Sequence, residues 1–135
     1  MNTSELVYTG ELRTIARHVY SGTEIFTDAP LDNHGKAQSF SPTDLMSTSL
    51  ATCMVTIMGI ECAKLGVNID GTKMAVRKIM AANPRRVSRI EIDFEIPDRN
   101  LTDDIKNKLE HAAHNCPVAK SIHPDIEQVV TFRYY

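Results

Sequence analysis

The sequence predicts a mixed domain of helices and strands, with paired strands on both sides of one long apolar helix. Three observations carry that reading. Residues 42–65 form a helix-length stretch with clear start and stop signals, and no charge appears between Asp44 and Glu61. Residues 86–96 alternate, with Ile90, Ile92, Phe94 and Ile96 on one parity and Arg89, Glu91, Asp93 and Glu95 on the other. That is the period of a half-buried antiparallel strand with one wet face. Residues 6–28 are rich in strand formers and are punctuated by Ser21-Gly22, a turn signal. A chain of 135 residues reads as one domain, 1–135, and buries about two-thirds of the surface its unfolded form exposes.

The elements follow in order. Residues 6–19 and 22–28 are expected to be two strands, in which Glu11, Arg13 and Arg17 share one face. The stretch DAPLDNHGKAQSF, 28–40, is a long loop of turn formers, a length that usually covers or serves something. Ser41 is a good N-cap, Pro42 suits the first helical position and Asp44 follows three residues after the cap. Gly66 marks the C-terminal end. The helix 42–65 would measure about 36 Å at ~1.5 Å per residue. Apolar on nearly all sides, it needs cover on nearly all sides, more than one small sheet supplies, so a second subunit is expected.

Strands at 73–82 and 86–96 flank a turn at Asn83-Pro84. Thr102 caps a second helix running to about Asn115. Pro117 cannot continue it, so a short new helix is expected with Cys116 as its N-cap. Residues 126–134 make the last strand, with Val130, Phe132 and Tyr134 on one face.

Charge excludes some functions. A net charge of −2 and a pI near 6.2 lack the basic footprint of a nucleic-acid binder. The cluster Arg77, Lys78, Arg85, Arg86 and Arg89 is followed at once by acidic residues and has no interleaved aromatics. It reads as a solvated edge. The uncharged run from Leu45 to Ile60 is shorter than the ~20 residues a membrane span needs and carries several hydroxyls, so no membrane role is expected. The start, MNTSELVYTGELR, has no apolar signal region, which points to a reducing, cytoplasmic setting.

Chemistry concentrates on cysteine. Cys53 sits inside the apolar helix, where a thiol is most often a packed hydrophobe. Cys62, nine residues on, faces the opposite side of that helix and cannot pair with it there. Cys116, before Pro117, lies near unpaired N–H groups that favour a thiolate. On local physics alone Cys116 is the better thiolate, and Cys53 would need a cationic neighbour. If folding brings the two together, they can cycle between dithiol and disulfide. His111, His114 and Cys116 could touch a zinc ion, but a fourth ligand is missing. No metal or organic cofactor is expected, and no phosphate-binding or dinucleotide motif is present.

The segments SPTDLMSTSLATCM and NCPVAKSIHPDIE closely resemble the two cysteine segments of the OsmC/Ohr family of bacterial hydroperoxide reductases. The resemblance implies an α+β, OsmC-like fold: antiparallel sheets around a long buried central helix, in an intertwined homodimer with active sites at the subunit interface. It casts Cys53 as the peroxide-attacking thiol and Cys116 as the resolving one, the reverse of the local argument. It also implies an activating arginine from the N-terminal strands, for which Arg13 and Arg17 are both candidates. Where active members resemble P-E-x-L, this chain has Pro42-Thr43-Asp44-Leu45. Asp44 either takes over the glutamate's place beside the arginine or caps the helix. Two functions are therefore carried forward. One is a hydroperoxide reductase acting on organic hydroperoxides and recycled by an external dithiol. The other is a small apolar-ligand binding protein on the same fold.

Overall fold

The computed structural model describes residues 1–135 and divides them into two units, 1–46 and 47–135. The first unit is built on a three-stranded antiparallel sheet, β1 (Ser4–Gly10), β2 (Arg13–His18) and β3 (Glu24–Asp28), in that order. The expected single strand over 6–19 is in fact a hairpin. Gly10 pairs with Arg13, and the two loop residues Glu11 and Leu12 both have positive φ, 55° and 63°. This backbone twist suits tight hairpins but normally selects Asn-Gly. Glu11 thus belongs to the turn, whereas Arg13 and Arg17 share a face of β2.

The loop after β3 folds back on itself through a single turn of 3-10 helix at Leu31–Asn33. Gly35 donates to the Pro30 carbonyl at 3.0 Å, and Ala37 to the Ala29 carbonyl at 3.2 Å. A Cβ on Gly35 would stand 1.7 Å from the Ala29 carbonyl oxygen, so only glycine fits there. Phe40 then bridges to Thr27, and Asp28 donates its N–H to the Phe40 carbonyl at 3.1 Å. The long loop is a closed one.

Helix α1 runs from Pro42 to Leu65, the span its sequence signals predict. It ends on Gly66 at φ 68°, with the Val67 N–H donating to the Cys62 carbonyl at 3.1 Å. That bond and the left-handed glycine are a Schellman end. By length and composition α1 could cross a bilayer. Its stripe Ser47, Leu50, Ala51, Met54, Met58 and Cys62 is instead buried within the protein.

In the second unit β4 (Lys73–Ala81) pairs antiparallel with β5 (Arg86–Ile96) across a turn holding the cis Asn83–Pro84 bond. β6 (Glu127–Tyr134) lies on the other side of β5 and runs parallel to it. The sheet is therefore not wholly antiparallel. A parallel neighbour needs a crossover, supplied by α2 (Asp103–His114) and α3 (Pro117–Ser121). The core gathers Leu50, Met54 and Met58, the β5 residues Ile90, Ile92, Phe94 and Ile96, and Leu109 and Ala113 of α2. Phe94 stacks on Phe132 at 4.9 Å between ring centroids.

Candidate functional site

Two clusters hold the residues singled out by sequence, one in each unit. In the second unit Cys116 stands between two helices. Thr102 caps α2 by accepting the Ile105 N–H at 3.2 Å, and α2 stops at His114, three residues before Pro117. Cys116 is left extended and becomes the N-cap of α3, its Sγ accepting the Ala119 N–H at 3.4 Å. It is fully buried, while Cys53 on α1 is half-buried. Cys53 lies near enough to Cys116 to act on its thiol. Cys53 thus acts on the thiol of a cysteine 63 positions away in the chain.

Burial, above all, pushes the Cys116 thiol up from its ordinary pKa; the neighbouring Cys53 adds to this, and the N–H groups of Ala119 and Val118 oppose it. The helix-end argument for a Cys116 thiolate therefore fails, because desolvation outweighs two backbone donors. Cys62 is also buried, and burial, with Asp70 and Glu61 nearby, raises its thiol as well. It lies within electrostatic reach of Tyr134, as a core thiol would. His111, His114 and Cys116 do not converge, and no three His, Cys, Asp or Glu side chains are placed to hold a metal ion.

In the first unit Arg13 is half-buried and held from three sides. Its Nε faces the Asp28 carboxylate at 3.5 Å, its Nη2 donates to Gln38 Oε1, and its Nη1 has the exposed Glu11 at 3.8 Å. Arg17 is exposed, paired in register with Glu5 and Glu24. Asp28, at the end of β3, is 2 % exposed, and the Gln38 N–H donates to its Oδ2 at 3.0 Å. That donor first, and Arg13 after it, hold the Asp28 carboxyl below its ordinary pKa against the cost of burial. A cavity of about 230 Å³ opens here, lined among others by Arg13, Phe26, Asp28 and Gln38.

Asp44 takes the second of its two expected arrangements. Its carboxylate accepts the Ser41 N–H at 2.9 Å, and its own N–H donates to Ser41 Oγ at 3.1 Å. This reciprocal pair is a capping box with aspartate in the acidic position. Thr43 lies beside it, its hydroxyl 3.3 Å from Ser41 Oγ. Asp28 and Gln38 are not singled out by sequence reasoning. The one signal for them is an acid closing a strand ahead of a long turn-rich loop.

The chain matches the family model for OsmC-like protein over residues 34–130. Among solved structures it is similar to a Psychrobacter arcticus 273-4 protein named for osmotic stress induction and detoxification response. The two share 50 % identity at a TM-score of 0.94, over 98 % of this chain and 96 % of that one. It resembles an OsmC-like protein of Mycoplasma pneumoniae at 18 % identity and TM-score 0.80, covering 97 % and 94 % of the two chains. An organic hydroperoxide resistance protein, OsmC, of Legionella pneumophila matches at 13 % identity and TM-score 0.72, over 98 % of each chain. Likeness at those two lower identities concerns the fold. No curated protein matches the chain.

Proposed function

This chain belongs to the OsmC-like protein family, and on that footing we propose that it is a thiol-dependent reductase of organic hydroperoxides, acting in redox stress defence. The observation that carries the reading is that Cys53 lies near a buried Cys116 whose thiol burial holds toward its protonated form. An attacking thiol must ionise, while a resolving thiol must wait nearby without competing for the peroxide. The environment of Cys116 suits the second role.

The Cys53 thiolate attacks the distal peroxide oxygen, the O–O bond breaks, and the alkoxide leaves with a proton as the alcohol. Cys53 is now a sulfenic acid. The Cys116 thiol then condenses with it, forming the disulfide and releasing water. An external dithiol reduces that bond by exchange and is itself oxidised. Such a cycle needs a reducing compartment such as the cytoplasm. Of the two candidate arginines we assign the activating role to Arg13, of either subunit. That role requires a fixed, charge-assisted geometry, and Arg13 is anchored where Arg17 is exposed.

We also infer a homodimer. Leu6, Val7, Tyr8, Ile25 and Phe26 of the first sheet are exposed in the single chain. An apolar surface on this scale is a mark of an interface. Light scattering should give about twice 15.1 kDa, with a denaturation midpoint that rises with protein concentration. The binding-protein reading keeps one observation in its favour, Thr43 in the position of the family's glutamate.

The deciding experiment is consumption of cumene hydroperoxide against hydrogen peroxide, with dithiothreitol as reductant, in wild type and Cys53→Ser. Fast turnover of the organic peroxide, lost in the variant, is expected. Equal slow rates in both proteins would overturn the peroxidase reading and favour the binder.

A further inference from the structure

We propose that Asp28 and Gln38 are positioning residues that lock the Arg13 guanidinium in the orientation the thiol chemistry uses; this rests on the assignment of Arg13 made above. Three observations point there. Asp28 is a carboxylate with 2 % exposure, and its Oδ2 is 3.5 Å from Arg13 Nε. A buried charge of this kind is kept only when it is paired. Gln38 then takes Nη2 through its side-chain oxygen while its backbone N–H holds Asp28. Two hydrogen bonds, both to Gln38, and one ion pair, between Arg13 and Asp28, link the three groups in a ring.

The ring also defines what is left over. Nη2 is hydrogen-bonded to Gln38 and Nε faces Asp28 across an ion pair without a hydrogen bond, both inside the first unit, and the remaining end, Nη1, has only the 75 % exposed Glu11 side chain at 3.8 Å. An exposed partner at that distance holds its arginine weakly, so Nη1 is the donor free to turn toward a peroxide or thiolate. The loop delivers Gln38 to this point by its closure: Gly35 passes against Ala29, where no other residue fits, and Ala37 bonds the Ala29 carbonyl. The long turn-rich loop thus serves the proposed reaction by fixing one side chain.

The test combines kinetics with a direct measure of guanidinium order. Turnover of cumene hydroperoxide is followed in wild type, Asp28→Asn, Gln38→Ala, Gln38→Glu and Arg13→Ala, and in each Asp28 or Gln38 change placed on Arg13→Ala. Nitrogen-15 relaxation of the Arg13 Nε–H is measured in parallel. Misplacing a catalytic group by about 1 Å costs up to ~100-fold, so Asp28→Asn should lower kcat/KM by tenfold or more. Gln38→Ala, at an exposed position, should do so by less while leaving the fold intact. Gln38→Glu keeps the acceptor and should retain wild-type turnover. On Arg13→Ala neither change should cost anything further, which a purely structural role would not produce. The Arg13 Nε–H should be rigid in wild type and mobile in Asp28→Asn. A guanidinium equally mobile in both, or losses that persist undiminished on Arg13→Ala, would overturn the positioning role. Absence of turnover in wild type with a rigid Arg13 would instead bring down the peroxidase reading on which the role depends.

Discussion

Asp28 and Cys116 are both acids withdrawn from water, and their surroundings move them in opposite directions. Asp28 receives a backbone N–H from Gln38 and faces the Arg13 guanidinium, and its carboxyl is held below the ordinary range. Cys116 is pushed up first by burial and then by the neighbouring Cys53 thiol, against the N–H groups of Ala119 and Val118. Burial opposes ionisation at both places; at Asp28 the Gln38 N–H first, and the Arg13 guanidinium with it, outweigh it, while at Cys116 it outweighs the donors. A helix end alone does not make a thiolate when the sulfur is wholly buried. The two clusters thus divide the proposed chemistry between them. The first unit fixes a cation, and the second keeps a thiol in reserve.

The sharpest way to break this contrast is at the reserve thiol. Cys116→Ser should permit one equivalent of cumene hydroperoxide to react and then stop, with Cys53 held as a sulfenic acid that dimedone traps. Continued turnover at the wild-type rate would mean that Cys116 resolves nothing. Next in size are the two arms of the pH–stability profile. Asp28 has a lowered pKa in the folded protein, so its stabilisation is present above about pH 3.9, the unfolded value, and is lost as pH falls through the folded value. Cys116 has a raised pKa, so its contribution is intact below about pH 8.5 and is lost as pH rises through the folded value. Urea titrations should therefore show an acid limb weakened by Asp28→Asn and an alkaline limb flattened by Cys116→Ser. An exchange of those limbs between the variants would contradict the assignments.

Smaller effects compare the caps. Ser41 and Asp44 cap α1 reciprocally through oxygen, while Cys116 caps α3 through a weakly accepting sulfur. Ser41→Ala should cost about 1 kcal/mol, read as a lower urea midpoint at unchanged slope. Smallest of all is Arg77→Ala, which removes an exposed pair with Glu91. It should barely move the urea midpoint, and by less again in high salt.

The two regions also differ in how much of them the sequence discloses. Helix α1 is legible to its ends because serine, proline, aspartate and glycine each satisfy a terminal requirement of the helix itself. The cap at Cys116 is legible for the same reason, since Pro117 forbids continuation. Those signals are local. The hairpin at Glu11-Leu12 is not legible, because two ordinary residues adopt positive φ there. Leu12 is held by tertiary bonds, its N–H donating to the Tyr8 hydroxyl and its carbonyl accepting from Ala29. The parallel placement of β6 is equally hidden, since alternation sets a strand's faces and not its direction. The ring of Arg13, Asp28 and Gln38 depends on the loop's closure, which no residue announces alone. The cysteine pair lies between these cases: both segments are conspicuous, but their meeting is a property of the fold.

If Cys53 and Cys116 form one redox unit that excludes Cys62, a single oxidation must link those two sulfurs and no others. Peptide mapping after one equivalent of cumene hydroperoxide, with free thiols blocked at once, reads this out. One disulfide is expected, Cys53–Cys116, restored to dithiol by dithiothreitol, with Cys62 recovered as the blocked thiol. Recovery of Cys53 and Cys116 as unlinked thiols, or a bond involving Cys62, would contradict it.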